Sequence, residues 1–208
     1  MMETDVAYET PVDSDCSHQK ELPDQIKWDV QFDADKLRKE VSELIPHLAQ
    51  KSYVYYHVVP LRGGELRADR LSGVTDYSDP SLYEWMDNRE MQFCPYIKQI
   101  ADSFETEVTN VRLMRLEAGS DVKEHMDPTL DAIHRSVIRL TIPIFSDENV
   151  TFLLNGKPVP MEPGELWYMR LSDPHAVLNR GETERINLSI DLVYNDWLDK
   201  KLWSLVSG

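Results

Sequence analysis

Cysteine is scarce in this chain of 208 residues. Cys16 and Cys94 are the only two, too few and too far apart for a disulfide framework or a thiolate metal site, so two free thiols are expected. Long apolar runs are missing as well: no stretch approaches the roughly 18 uninterrupted apolar residues of a membrane helix, and no membrane partner is expected. Basic residues are outnumbered, 22 against 37 acids, which leaves a formal net charge of −15. Phosphate backbones are held by clustered Lys and Arg, so nucleic acid is not an expected partner. Residues 1–16 hold neither a basic residue nor an apolar segment. That is the opposite of a secretory signal, and a cytoplasmic location is expected.

What is present suffices for a folded core. Hydrophobic residues make up 41% of the chain, and the length fits one domain. Residues 1–30 carry eight acids and two lysines and read as an acidic N-terminal arm, flexible or draped. Residues 31–208 read as a single domain. Behind Asp33 as N-cap, Ala34, Leu37, Val41, Leu44, Ile45 and Leu48 recur at helical steps, and Pro46 should end that helix near Ile45. A strand over 52–59, a loop over 62–80 and short helices over 81–88 and 96–104 are expected next.

From residue 110 the pattern changes to short strand-like runs: 110–117, 136–144, 150–154, 164–171, 175–179 and 184–194. Asn155-Gly156 suits a type I′ hairpin and Pro163-Gly164 a type II turn. The tail 196–206, with Trp197, Leu198, Leu202 and Trp203, reads as a closing helix. Many short strands at this spacing predict a mainly β antiparallel sandwich or barrel with flanking α-helices.

The first chemical candidate is His125-Met126-Asp127, whose outer residues share one face of an extended segment and can reach one metal ion together. Alone it carries little, because composition predicts such a triplet in roughly half of similar chains. His175 supplies the third ligand, completing the two-His, one-carboxylate set that leaves open positions on non-haem Fe(II); ligand type alone also admits zinc. Arg185 lies ten residues further on, across Arg180-Gly181, on a strand expected to pair with the His175 strand as a hairpin. There Arg185, Asn187, Ser189 and Asp191 share one face and Ile186, Leu188, Ile190 and Leu192 the other. A guanidinium facing a cavity suits a two-pronged grip on a carboxylate.

These residues, with the runs Val111-Arg112-Leu113-Met114-Arg115-Leu116, Glu124-His125-Met126-Asp127-Pro128, Arg139-Leu140-Thr141-Ile142-Pro143-Ile144, Pro163-Gly164-Glu165-Leu166-Trp167-Tyr168, His175-Ala176-Val177-Leu178-Asn179 and Arg185-Ile186-Asn187-Leu188-Ser189, resemble the aspartyl/asparaginyl β-hydroxylase-type branch of the Fe(II)/2-oxoglutarate dioxygenases. That branch includes free proline hydroxylases. The resemblance implies a double-stranded β-helix, or jelly roll, with His125, Asp127 and His175 on iron. It implies Arg185 on the distal carboxylate of 2-oxoglutarate, with Arg139 and Asn187 as further cofactor-binding candidates and dioxygen as the oxidant. Arg139 is similar to an arginine that the family carries in the strand after His-x-Asp. The histidine usual two residues beyond it is Thr141 here. Arg112 and Arg115 fall on opposite strand faces, so only one can face the cavity, and Arg115 is a lesser candidate.

The expected reaction is hydroxylation of an unactivated C–H bond with release of succinate and CO2. A small-molecule substrate is expected, a free or carrier-bound amino acid first. The alternatives are a peptidyl Asp or Asn hydroxylase, a cupin-like non-oxidative isomerase or lyase using the same ligands, and a non-catalytic interaction module. The chain ends 14 residues after Tyr194, so a lid is expected from 62–80, from the arm or from a second subunit. Oligomeric state stays open.

Overall fold

The computed structural model describes residues 21–48, 56–66, 83–130, 132 and 137–207. Cys16, His134 and the greater part of both the arm and the 62–80 loop lie outside them.

Eight strands give the fold its form: β4 (Val108–Leu116), β5 (Asp121–His125), β6 (Val137–Phe145), β7 (Val150–Leu154), β8 (Lys157–Val159), β9 (Glu165–Met169), β10 (His175–Asn179) and β11 (Arg185–Val193). Apart from the β7–β8 hairpin, successive strands cross between two antiparallel sheets. β5, β10, β7 and β8 form one sheet in that order, while β9, β6, β11 and β4 run side by side in the other. This alternation is the double-stranded β-helix, a mainly β fold. The larger sheet is extended to seven strands by β1 (Gln25–Gln31) beside β9 and by β2 (Tyr56–Leu66) and β3 (Tyr83–Asp87) beside β4.

Three helices, α1 (Ala34–Leu44), α2 (Pro95–Ala101) and α3 (Asp196–Ser207), pack on the outer face of that sheet. α1 starts where its sequence says: the Asp33 carboxylate accepts from the Asp35 and Lys36 amides at 3.1 and 3.0 Å, and the helix stops one residue before Ile45-Pro46. Its buried stripe Leu37, Val41 and Leu44 meets Ile97 and Ile100 of α2, Leu198 and Leu202 of α3, and alternate residues of the central strands, such as Leu140, Ile142, Leu188 and Ile190. The buried Glu40 accepts from the Tyr96 and Ile97 amides and so caps α2. Cys94 is a buried free thiol, its pKa pushed up to about 12 by burial and by Glu40.

Three expectations need correction. The segment read as an arm contains β1 from Gln25: Ile26 and Trp28 are buried while Lys27 and Asp29 point outward, a period-two pattern hidden by the acidic composition. The expected loop from 62 begins inside β2, which runs to Leu66. The expected helix over 81–88 is instead strand β3, paired antiparallel with β2 through Arg62↔Asp87 and Gly64↔Trp85. A Cβ at position 64 would stand 2.6 Å from the Trp85 ring, so glycine there lets the indole lie over β2. Both expected turns form. Asn155 and Gly156 have φ of +51° and +71°, and Gly164 has φ of +83° with the Phe32 carbonyl oxygen 2.4 Å from where a Cβ would sit.

Candidate active site

The inner face of the seven-stranded sheet differs in chemistry from its outer face. Arg185, Asn187, Ser189 and Asp191 of β11 point inward, as the alternation requires, and are buried. Beside them in register stand Met114 and Arg112 of β4 and Thr141 and Arg139 of β6. Opposite, the smaller sheet brings His125 and His175 together as direct cross-strand partners, their ring centroids 4.2 Å apart. Between the sheets lies a cavity of about 280 Å³, lined by residues that include Tyr56, His125, Asp127, Arg139, His175 and Arg185.

One ligand atom each from His125, Asp127 and His175 lies within 4.8 Å of the others. Each histidine directs Nδ1 at a backbone carbonyl: His125 at Lys123 O, 2.8 Å, and His175 at Asp173 O, 3.0 Å. A carbonyl only accepts, so Nδ1 carries the proton in both rings and Nε2 keeps its lone pair for a metal. Burial holds His175 below the ordinary imidazole pKa, which keeps it neutral, the form that ligates. Asp127 is set by backbone bonds, its amide to Leu171 O at 2.8 Å and its carbonyl from the Leu130 amide at 2.9 Å. The donor set and its spacing fit one divalent ion with protein ligands on one side only.

Arg185 is 5% exposed, and among the described residues it has no hydrogen-bond or ion-pair partner. Burial depresses its pKa to about 10, with the nearby Tyr56 hydroxyl acting in the opposite sense. Asn187 Oδ1 and Ser189 Oγ, on the same strand face, are also buried without a partner. A buried guanidinium flanked by unsatisfied polar atoms is costly unless an anion completes it.

Arg139 is placed differently from Arg185. Its Nε and Nη2 donate to Asp191 at 2.6 and 3.0 Å, and Nη1 lies 3.5 Å from Asp127 Oδ2. Burial opposes its charge, but Asp191 and Asp127 outweigh that and hold its pKa above the ordinary value. It therefore bridges the buried Asp191 to Asp127 of the candidate metal site. Arg112 shares the same aspartate through Nη2, leaving Nε and Nη1 without partners among the described residues. Three guanidiniums, Arg185, Arg139 and Arg112, thus face two carboxylates, Asp191 and Asp127, in a chain whose overall charge is strongly negative. The cavity is a local attractor for anions.

One expectation about the site fails, and one choice left open by the sequence is decided. β10 and β11 do not pair as a hairpin: they lie in opposite sheets, and His175 and Arg185 face each other across the cavity rather than along one ladder. Of the two β4 arginines it is Arg112 that turns inward, while Arg115 faces away and pairs with Glu184 through two bonds of 2.9 Å. The signal was available. Val111 and Leu113, the more apolar alternate set, mark the core face and carry Arg115 with them. Trp167 and Tyr168 are both buried, Trp167 donating Nε1–H to Glu165 at 2.9 Å. Among the remaining histidines, His47 stacks on Phe93 and His57 meets Glu117.

A jelly roll with two histidines and one carboxylate in its mouth, and an arginine without a partner among the described residues, is a candidate centre for one metal ion beside an anionic group. The profile of the Aspartyl/Asparaginyl beta-hydroxylase family matches residues 72–194, more than half of the chain, and the chain belongs to that family of hydroxylases. No curated protein sequence matches. Among solved structures the chain is similar to a Pseudomonas putida prolyl-4-hydroxylase, at 15% identity over 83% of this chain and 93% of that one, with a TM-score of 0.48. It is also similar to an oxidoreductase of the 2OG-Fe(II) oxygenase family from Burkholderia pseudomallei, at 13% identity over 76% and 78%, TM-score 0.47. A cupin domain of an XRE family transcriptional regulator from Enterobacter cloacae aligns at 12% identity over 68% and 100%, TM-score 0.38. Family membership rests on the sequence match. No helix of the described residues is long and apolar enough to cross a membrane.

Proposed function

We propose that this oxygenase is an Fe(II)- and 2-oxoglutarate-dependent hydroxylase of an unactivated C–H bond in an amino acid, free or carrier-bound, or a related small metabolite. The observation that carries the reading is Arg185. A buried cation without a protein partner, in the same cavity as His125, Asp127 and His175, is accounted for by a dicarboxylate cosubstrate that reaches from the metal to the guanidinium. A non-oxidative cupin-like enzyme would use the three ligands and leave Arg185 unexplained.

His125 Nε2, His175 Nε2 and an Asp127 oxygen would hold Fe(II), and Arg185, with Asn187 and Ser189 beside it, would hold the distal carboxylate of 2-oxoglutarate. Together the metal and cosubstrate supply activation of dioxygen, with oxidative decarboxylation to succinate and CO2. The chain's own residues do the rest. Lys123 and Asp173 carbonyls fix the ring tautomers, Arg139 restrains Asp127 against Asp191, and Phe152, Leu171 and Val177 keep the cavity wall apolar.

The test is succinate release by anaerobically Fe(II)-loaded protein given 2-oxoglutarate and then dioxygen, across a panel of amino acids, with His175→Ala as control. Succinate that depends on His175 and rises with one panel member supports the reading and names the substrate. Absence of succinate, together with no 2-oxoglutarate-dependent visible band in the anaerobic complex, would overturn it in favour of the cupin-like enzyme.

A further inference from the structure

We propose that Arg170 is a positioning residue for the metal centre, acting on His175 through Asp173. The inference rests on the metal-binding reading above and extends it to residues outside the cavity. His175 opens β10, and the loop 170–174 before it supplies the carbonyl, Asp173 O, that receives its Nδ1–H.

That carbonyl is fixed from several sides. The Asp173 amide donates to Arg170 O at 3.0 Å, and the Asp173 carboxylate accepts from Arg170 Nε at 3.0 Å and from Asn155 Nδ2 at 2.8 Å. Pro174 follows and biases Asp173 towards extended backbone. Asn155 adds a main-chain bond from its amide to Pro174 O at 2.8 Å, so the β7–β8 turn braces the next peptide, the one that leads into His175. Arg170 is in turn anchored on the chain before β1: its amide donates to Asp24 O at 2.7 Å and Nη1 to Leu22 O at 3.4 Å, while Asn155 Nδ2 also reaches Asp24 Oδ2 at 3.0 Å.

The other histidine lacks this support. His125 ends β5, an edge strand of the smaller sheet, and its acceptor Lys123 O belongs to an exposed residue. His175 is therefore the rigid reference of the ligand set, and His125 is the ligand that yields. Arg170, Asp173 and Asn155 do not line the cavity, so their effect on a bound metal passes through the imidazole. A carbonyl that holds its direction keeps Nε2 aimed and unprotonated; a loose one lets the ring turn and costs affinity.

The experiment titrates metal-free protein with Co(II), reading affinity and the visible d–d absorption, beside far-UV circular dichroism and the melting temperature of the metal-free state. Arg170→Ala is expected to weaken Co(II) binding about 10- to 100-fold and to shift the d–d spectrum. Arg170→Lys should recover part of the loss, and Arg180→Ala, which removes an exposed pair with Asp121 at the far end of β10, should change nothing. Should Arg170→Ala fail to fold, Asp173→Asn, which keeps the backbone carbonyl and loses only the charge, gives the same reading. Unaltered Co(II) affinity and spectrum in the folded variants would overturn the positioning role alone. A wild-type protein that binds no Co(II), or binds it no better than His175→Ala, would overturn the metal-centre reading beneath it.

Discussion

The two faces of the seven-stranded sheet are built from the same strands, and they solve opposite problems. On β11 the outward residues Ile186, Leu188, Ile190 and Leu192 are at most 3% exposed, and they join the helices in one apolar cluster. The intervening residues Arg185, Asn187, Ser189 and Asp191 are at most 5% exposed, yet three of them carry polar groups that nothing in the described chain satisfies. Burial by itself therefore does not distinguish scaffold from site. What distinguishes them on β11 is whether the buried groups are complete: its outer face is apolar and closed by its own side chains, whereas its inner face carries polar atoms without a partner among the described residues.

Neighbouring substitutions on β11 should separate the two faces most sharply. Leu188→Ala removes fully buried methyl groups against α1 and β6, and it is expected to cost about 2–5 kcal/mol, with cosubstrate affinity per folded molecule unchanged. Ser189→Ala, one residue on, removes an unpartnered hydroxyl and is expected to leave stability within about 0.5 kcal/mol, since the lost group had no bond to lose. Urea unfolding of the two variants checks this. Equal losses would mean that the inner face is as tightly integrated as the outer one.

Arg185→Leu tests the inner face from the side of charge. The folded-state pKa of Arg185 lies below its ordinary value, so the unfolded chain binds that proton more tightly. The penalty is fully present at neutral pH and eases only as pH rises through about 10. Replacing the guanidinium by an apolar side chain of similar length should therefore leave the ligand-free melting temperature unchanged or higher. On the proposed function 2-oxoglutarate should raise the wild-type melting temperature, an effect of about 2.7 kcal/mol at a hundredfold excess over Kd, and the same change should abolish that shift. A lower ligand-free melting temperature would mean that Arg185 has a structural partner, and the contrast between complete and incomplete faces would lose its main support.

Which features were legible in the sequence follows from how locally each is determined. α1 was readable to the residue because its N-cap, its stripe and the proline that stops it all lie within fifteen positions. The cluster of His125, Asp127, His175 and Arg185 was readable from type, spacing and strand alternation, which also separated the two faces of β11. Sheet membership was not. A hairpin between β10 and β11 satisfies the same local signals as a crossover, and only the ladders of β11 with β4 and β6, and of β10 with β5 and β7, decide between them. β3 was missed because five residues hold too few periods to separate helix from strand. β1 was missed because the charge of its surroundings outweighed a clean alternation.

A small effect is also expected where the outer face reaches strand β3. Arg62 of β2 donates to Asp87 of β3 at 2.7 Å and to Asp102 after α2 at 2.8 Å, and Lys98 meets both carboxylates at 2.7 and 2.9 Å. The Lys98 and Asp102 side chains are nearly half exposed, so solvent screens much of the attraction, and Arg62→Ala should cost about 1 kcal/mol or less. The hydrogen bond from Arg62 holds the Asp102 carboxyl below its ordinary pKa, and the bonds from Arg62 and Lys98 do the same for Asp87 against the opposing pull of burial. A depressed folded-state pKa means stabilisation that is present above the ordinary carboxylate value of 3.8 and is lost as pH falls through the folded one. The wild type and Arg62→Ala should therefore differ at pH 7 and converge in acid below that range, while the 2-oxoglutarate shift stays the same in both. Tyr56, which lines the cavity, sits on the same strand as Arg62. A ligand shift that fell in Arg62→Ala would therefore show that the hairpin β2–β3 transmits to the site, and the sheet edge would then belong with the inner face rather than the outer one.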